Sequence, residues 1–176
     1  MKNLTNSTID RQNILNNRFA LGKIQEYIGI PGMLFEGEYR FTIQMVAEFY
    51  GVDERTVKRY LENFDQELKH NGYILSKGKQ LKELKLQFDH VINVPSKTTQ
   101  LGLFNFRAFL NLGMQLTESE NAKLLRSKIL DIVIETINDW TDRHIFLRRN
   151  KSGNRRNLYL AIQSMFYLKV YRNESR

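Results

Sequence analysis

The chain has 176 residues, 41% of them hydrophobic, which is enough for one domain with a real core and excludes wholesale disorder. It has no cysteine, which excludes disulfides, thiolate metal sites and cysteine nucleophiles. The net charge of +8 suggests an acidic partner, nucleic acid first, but residues 141–176 hold nine Lys/Arg against two acids while residues 1–140 hold 18 against 17, so the excess describes the tail and not the body.

The opening residues are polar and rich in Asn and Thr, which predicts a flexible N-terminus over 1–16. They lack the apolar run of a signal peptide, and no stretch approaches the ~20 apolar residues of a membrane span, so a cytoplasmic protein is expected. Phe19, Leu21, Ile24 and Ile28 recur at helical spacing, and Gly29 ends that helix. "MLFEGEYRF" reads as two short strands turning at Glu36 and Gly37.

Thr42 is placed to cap the next helix, which buries Ile43, Val46, Ala47 and Phe49 or Tyr50 and stops at Gly51. Asp53 caps its successor, whose apolar stripe is Val57, Tyr60, Leu61 and Phe64. Two short helices about a glycine turn, with small Ala47 in the first, form the helix-turn-helix pattern. The second helix leaves Glu54, Arg55, Lys58 and Arg59 outward. Arginine can bond a guanine edge with two donors, so these four are the candidate base contacts.

"GYILSKGKQLKELKLQF" alternates Leu84, Leu86 and Phe88 with charges. This predicts a β-hairpin turning at "SKGK", the place of a wing. Lys77 and Lys79 at its tip join Thr42, Gln44 and Thr56 as candidate DNA-backbone contacts, with Arg148 and Arg149 added from the tail. "TQLGLFNF" suggests another strand, Asn105 caps a short helix "FRAFLNLGMQL", and "TESE" at 117–120 reads as a capping box for a helix reaching about Asn138. That helix is apolar on more than one stripe, which makes it the candidate homodimer interface.

In this order, the motifs resemble the RhuM-type DNA-binding proteins of bacterial mobile and pathogenicity elements and their phage antirepressor relatives. The resemblance runs from Phe41 to Asn138. Val46, Ala47, Phe49, Gly51, Val52, Thr56 and Arg59 match its first motif, and Asn105, Leu110, Gly113 and Arg126 its second. It implies sequence-specific duplex DNA binding, transcriptional regulation of a mobile or toxin-linked element, and a toxin partner, such as a Fic-type protein, from a neighbouring gene. After Trp140 the sequence departs from that pattern. A truncated or out-of-frame end would account for this, and so would an independent basic tail with an amphipathic stretch at Leu158, Ile162, Met165 and Lys169.

The expected fold is therefore α+β and mainly helical, a winged helix-turn-helix followed by a helical segment. Its parts are a flexible 1–16, a DNA-binding domain over 17–95, a helical segment over 96–140 and a basic tail over 141–176. His70, His90 and His144 are scattered and no glycine-rich phosphate loop is present, so no enzyme, catalytic residue, metal or cofactor is expected. The competing reading is an antirepressor-like protein-interaction module with only non-specific nucleic-acid affinity, which the near-neutral body favours.

Overall fold

A computed structural model of the protein describes residues 4–92 and 94–149, with side chains placed as far as residue 141. The fold is α+β and mainly helical, with a small antiparallel sheet. The chain divides into two compact units, 1–130 and 131–176. Apart from the stretch to Arg149, the basic tail, its amphipathic segment and the question of its truncation lie outside the described residues.

The N-terminus differs from expectation. Residues Thr8–Asn16 form helix α1, capped by Ser7, whose hydroxyl accepts from the Asp10 amide at 3.2 Å. Leu4, Arg11, Ile14 and Leu15 are buried. Polar composition hid this helix because the residue that anchors it is an arginine. Helix α2, Arg18–Ile28, ends at Gly29 in the left-handed conformation as its sequence suggests. It buries Ala20 and Ile24, however, and leaves Phe19 78% exposed.

Strands β1, Met33–Phe35, and β2, Glu38–Thr42, form the expected hairpin. Glu36 (φ 52°) and Gly37 (φ 79°) both take positive φ, as a two-residue turn matched to strand twist requires. Next come α3, Ile43–Tyr50, α4, Glu54–Asn63, and the short α5, Asp65–His70.

The largest correction concerns residues 73–88. Only Ile74–Lys77 is a strand, β3; Gly78–Phe88 is helix α6. Leu81, Leu84 and Phe88 recur at helical spacing and pack on Met33, Phe35 and Leu103 of the sheet, while Leu86 is 82% exposed. Alternation would have buried Leu86; the run of Leu, Lys, Gln and Glu, with no β-branched residue, favours the helix. The strand that pairs with β3 is β4, Gln100–Phe104, with Ile74 opposite Leu103 and Lys77 opposite Gln100. Strand β4 also pairs with β2, and the sheet order is β1-β2-β4-β3. No domain boundary therefore falls at residues 95 and 96, because β4 lies in the middle of the sheet.

Side-chain alternation along β4 sends Leu101 and Leu103 towards α6 and Gly102 and Phe104 to the opposite face. On that second face lies α7, Phe106–Gln115, capped by Asn105 through the Ala108 amide at 2.9 Å. Ala108 to Gln115 are all buried, so α7 is the central helix of its unit. Its Phe109 ring lies 5.2 Å from Phe41 of β2 and 5.0 Å from both Phe49 and Tyr50 of α3.

Helix α8, Glu120–Arg149, extends past the expected end at Asn138. Its cap is Ser119 and not Thr117: the Ser119 hydroxyl accepts from the Ala122 amide at 3.0 Å. In the second unit the hydroxyls of Thr136 and Thr141 donate to the carbonyls of Ile132 and Ile137, one turn back. No helix of the described residues is long and apolar enough to cross a membrane.

Candidate nucleic-acid interface

Helix α3 starts at Thr42, whose hydroxyl accepts from the Met45 amide at 3.2 Å. It ends in a Schellman arrangement: Gly51 N–H donates to Glu48 O at 3.2 Å and Val52 N–H to Ala47 O at 3.0 Å. Gly51 has φ 63° and ψ 37°, the left-handed conformation such an ending demands. A Cβ there would meet only Asn121 Nδ2, at 3.6 Å, which is ordinary contact, so any cost is backbone strain alone. Gly51→Ala should destabilise the chain by about 1–2 kcal/mol. A denaturant melt of that variant matching wild type would show that the turn tolerates a side chain.

Asp53 caps α4, its carboxylate accepting from the Thr56 amide at 2.9 Å. Val57 and Tyr60 are buried against the rest of the fold, with the Tyr60 and Phe64 rings stacked at 5.8 Å. Glu54, Arg55, Lys58, Arg59 and Glu62 remain exposed. The four candidate base contacts thus share one helix face, but they are not equivalent. Lys58 Nζ pairs with Glu54 at 3.1 Å, one turn apart. Arg59 pairs with Glu118 and lies 5.5 Å over the Tyr60 ring. Among the described residues, the Arg55 side chain has no hydrogen-bond or ion-pair partner.

The candidate backbone contacts are dispersed. Thr42 is buried and its hydroxyl serves as the α3 cap, which removes it from the surface. Gln44 is exposed and donates to Glu48 at 2.9 Å, and Thr56 is half-buried. Lys77 and Lys79 are exposed where β3 passes into α6, not at a hairpin tip; Lys79 stands 3.7 Å from Glu83. Lys85 is bound internally, donating to the carbonyls of Pro95 and Thr98 at 3.1 Å each. The side chains of Arg148 and Arg149 lie outside the described residues.

What the sequence did not reveal is the clasp between the α7–α8 turn and the helix pair. Glu118 accepts from Tyr60 Oη at 2.7 Å as well as from Arg59. The Thr117 amide donates to Tyr60 Oη at 3.2 Å, Ser119 Oγ to the Tyr50 carbonyl, and Asn121 Nδ2 to the Phe49 carbonyl at 2.8 Å. These bonds satisfy carbonyls at the end of α3 that would otherwise lack partners. Burial and the donors around it act oppositely on the Glu118 carboxyl: burial pushes it up, but Tyr60, Thr117 and Arg59 hold it below its ordinary value. No local pattern signals the clasp, because each partner is more than fifty residues away in sequence.

Residues of the second resemblance motif prove to be mounts for the first. A Cβ on Gly113 would lie 2.6 Å from Tyr50 Cζ, so glycine lets the ring settle against α7, where Tyr50 Oη donates to Phe109 O at 2.9 Å. Arg126 donates to the Gly113 carbonyl at 3.0 Å and to that of Leu116, closing the end of α7. No group of three or more potential metal-ligating side chains occurs among the described residues. No protein-family model, curated protein or solved structure matches the chain, so the RhuM-type resemblance rests on the quoted motifs alone.

Proposed function

We propose that the chain is a sequence-specific duplex DNA-binding protein whose α4 enters the major groove, with Arg55 as its principal base contact. The observation that carries this reading is the mounting of α4. It follows α3 through a glycine turn, is anchored by Val57 and Tyr60, and turns an entirely polar face outward. The surrounding order supports it. The antiparallel run β2-β4-β3, with α3 and α4 between β2 and β3 in sequence, suits a winged helix in which α6 would take the wing's place. On that reading Lys77 and Lys79 stand at the base of the insertion and suit phosphate contacts.

Transcriptional regulation of a mobile or toxin-linked element and a toxin partner are what the RhuM-type resemblance implies, and a non-enzymatic role is the reading of the scattered histidines and the missing phosphate loop. Homodimerisation draws on exposed Leu124 of α8 and Tyr27 of α2, which flank a groove also lined by Phe49 and Leu125. The second reading, an antirepressor-like interaction module, draws on the pairing of Lys58 with Glu54 and Arg59 with Glu118, which leaves little free positive charge on α4.

A random duplex pool selected on the protein tests the proposal. Arg55→Ala should weaken the most enriched duplex by about 1–3 kcal/mol while barely changing a scrambled one. Equal weakening of both duplexes, or no enrichment at all, would favour the interaction module.

A further inference from the structure

We infer that Glu118 is a positioning residue that sets sequence discrimination by holding Arg59; this rests on the DNA-binding reading. Three observations converge on it. Glu118 approaches α4 from another element, the α7–α8 turn, and that turn is fastened to α3 and α4 by Thr117, Ser119 and Asn121. The carboxylate is itself fixed, since Tyr60 Oη donates to it at 2.7 Å and the Thr117 hydroxyl at 3.2 Å. Arg59 engages it through one terminal nitrogen, Nη2, and rests over the Tyr60 ring.

A long cationic side chain on an exposed helix face samples many rotamers and attracts any nearby phosphate. A carboxylate held in place changes both properties. It cancels much of the charge that would favour phosphates indiscriminately, and it restricts the guanidinium to one orientation. The remaining N–H groups, including the second one on Nη2, stay available to a partner of defined shape, such as a guanine edge. Glu118 therefore sacrifices general affinity for discrimination. The ordinary alternative is an exposed ion pair with a small effect on stability and none on binding.

The test uses Glu118→Gln, which keeps an acceptor for Tyr60 and removes the charge, in wild-type and Arg59→Ala backgrounds. The probes are the most enriched duplex from the random pool and its scramble, across a salt series. Glu118→Gln should bind the scramble roughly 1.5- to 5-fold more tightly, the range that follows from an exposed ion pair. Its salt slope should steepen by about 0.9 as one more phosphate contact forms. The ratio of the two affinities should fall, and in the Arg59→Ala background Glu118→Gln should change neither. Tyr60→Phe, which leaves the charge but unfixes the carboxylate, should lower the ratio with little change on the scramble. An unchanged ratio in both variants, or the same Glu118→Gln effect without Arg59, overturns the inference. If even the wild-type chain shows no preference among duplexes, the DNA-binding reading fails and this inference with it.

Discussion

Phe109→Ala should lower the stability of the folded chain by about 3–5 kcal/mol, the range for truncating a fully buried aromatic ring. Phe109 is 0% exposed and sits where the helix pair, the sheet and α7 meet. Its ring stacks on Tyr50 at 5.0 Å, meets Phe49 edge-on at 5.0 Å, lies 5.2 Å from Phe41 and stacks on Phe106 at 6.0 Å. Four rings would face the cavity, and large rigid rings cannot collapse far into it. At ~2–4 °C per kcal/mol the melting temperature should fall by roughly 10 °C. Because two of the four rings belong to α3, the loss should also loosen the mount of α4. Hydrogen exchange at α3 amides should quicken more than at α6 amides, which belong to the separate cluster about Leu81 and Leu84. Thermal melts and exchange rates together check this. A loss below 1 kcal/mol would mean that the aromatic cluster is not the joint it forms geometrically.

The parts legible in the sequence are those written in local chemistry. Thr42, Asp53 and Asn105 each cap the helix they precede, and Gly29 and Gly51 each end one, because a cap depends on residues within one turn. The Glu36-Gly37 hairpin is local in the same sense. Residues 78–88 misled because a charged, leucine-rich stretch fits periods of 2 and 3.6 over so few residues. The deciding fact, that Leu81 as well as Leu84 finds a sheet to cover, is tertiary. Helix α1 is hidden in the sequence for a related reason: its buried polar anchor, Arg11, has a partner in α5.

The candidate interface was legible in position and not in electrostatics. Helical spacing alone put Glu54, Arg55, Lys58 and Arg59 on one exposed face. The Lys58–Glu54 pair, four residues apart with the acid first, was open to sequence inspection. The Arg59–Glu118 pair was not, and it separates two arginines that otherwise look interchangeable. Sequence alone gives Gly113 and Arg126 a place in a motif but no physical reason for it. The reason is that one admits the Tyr50 ring and the other closes α7, so both serve the helix pair from outside it.

Glu67→Leu should cost about 3–5 kcal/mol, because it leaves a buried arginine without its counter-charge. Arg11 is 1% exposed, and all five of its N–H donors are used. Nε and Nη2 bond the two Glu67 oxygens at 2.8 and 2.7 Å, Nη2 also donates to Thr8 Oγ1 at 3.0 Å, and Nη1 donates to the carbonyls of Leu4 and Thr5 at 2.7 and 3.0 Å. Leucine removes two of these acceptors and the carboxylate that pairs with Arg11, and α1 loses this tie to α5. Arg11→Met added to Glu67→Leu should recover most of the loss, since an apolar pair in place of a buried ion pair is often close to neutral. Acid should imitate the single variant. Burial pushes the Glu67 carboxyl up, but the hydrogen bonds and charge of Arg11, with the Gln115 and Asn111 side chains, hold the group below 4.5, its ordinary value. A carboxyl depressed in the folded state binds fewer protons there than in the unfolded chain, so its stabilisation is complete above 4.5 and is lost as pH falls through the folded value. The stability gap between wild type and Glu67→Gln should therefore be constant near neutrality and close progressively below about pH 4.5. Denaturant melts of both proteins across that range measure it. A gap that widens on acidification would mean that Arg11 is balanced by something other than Glu67.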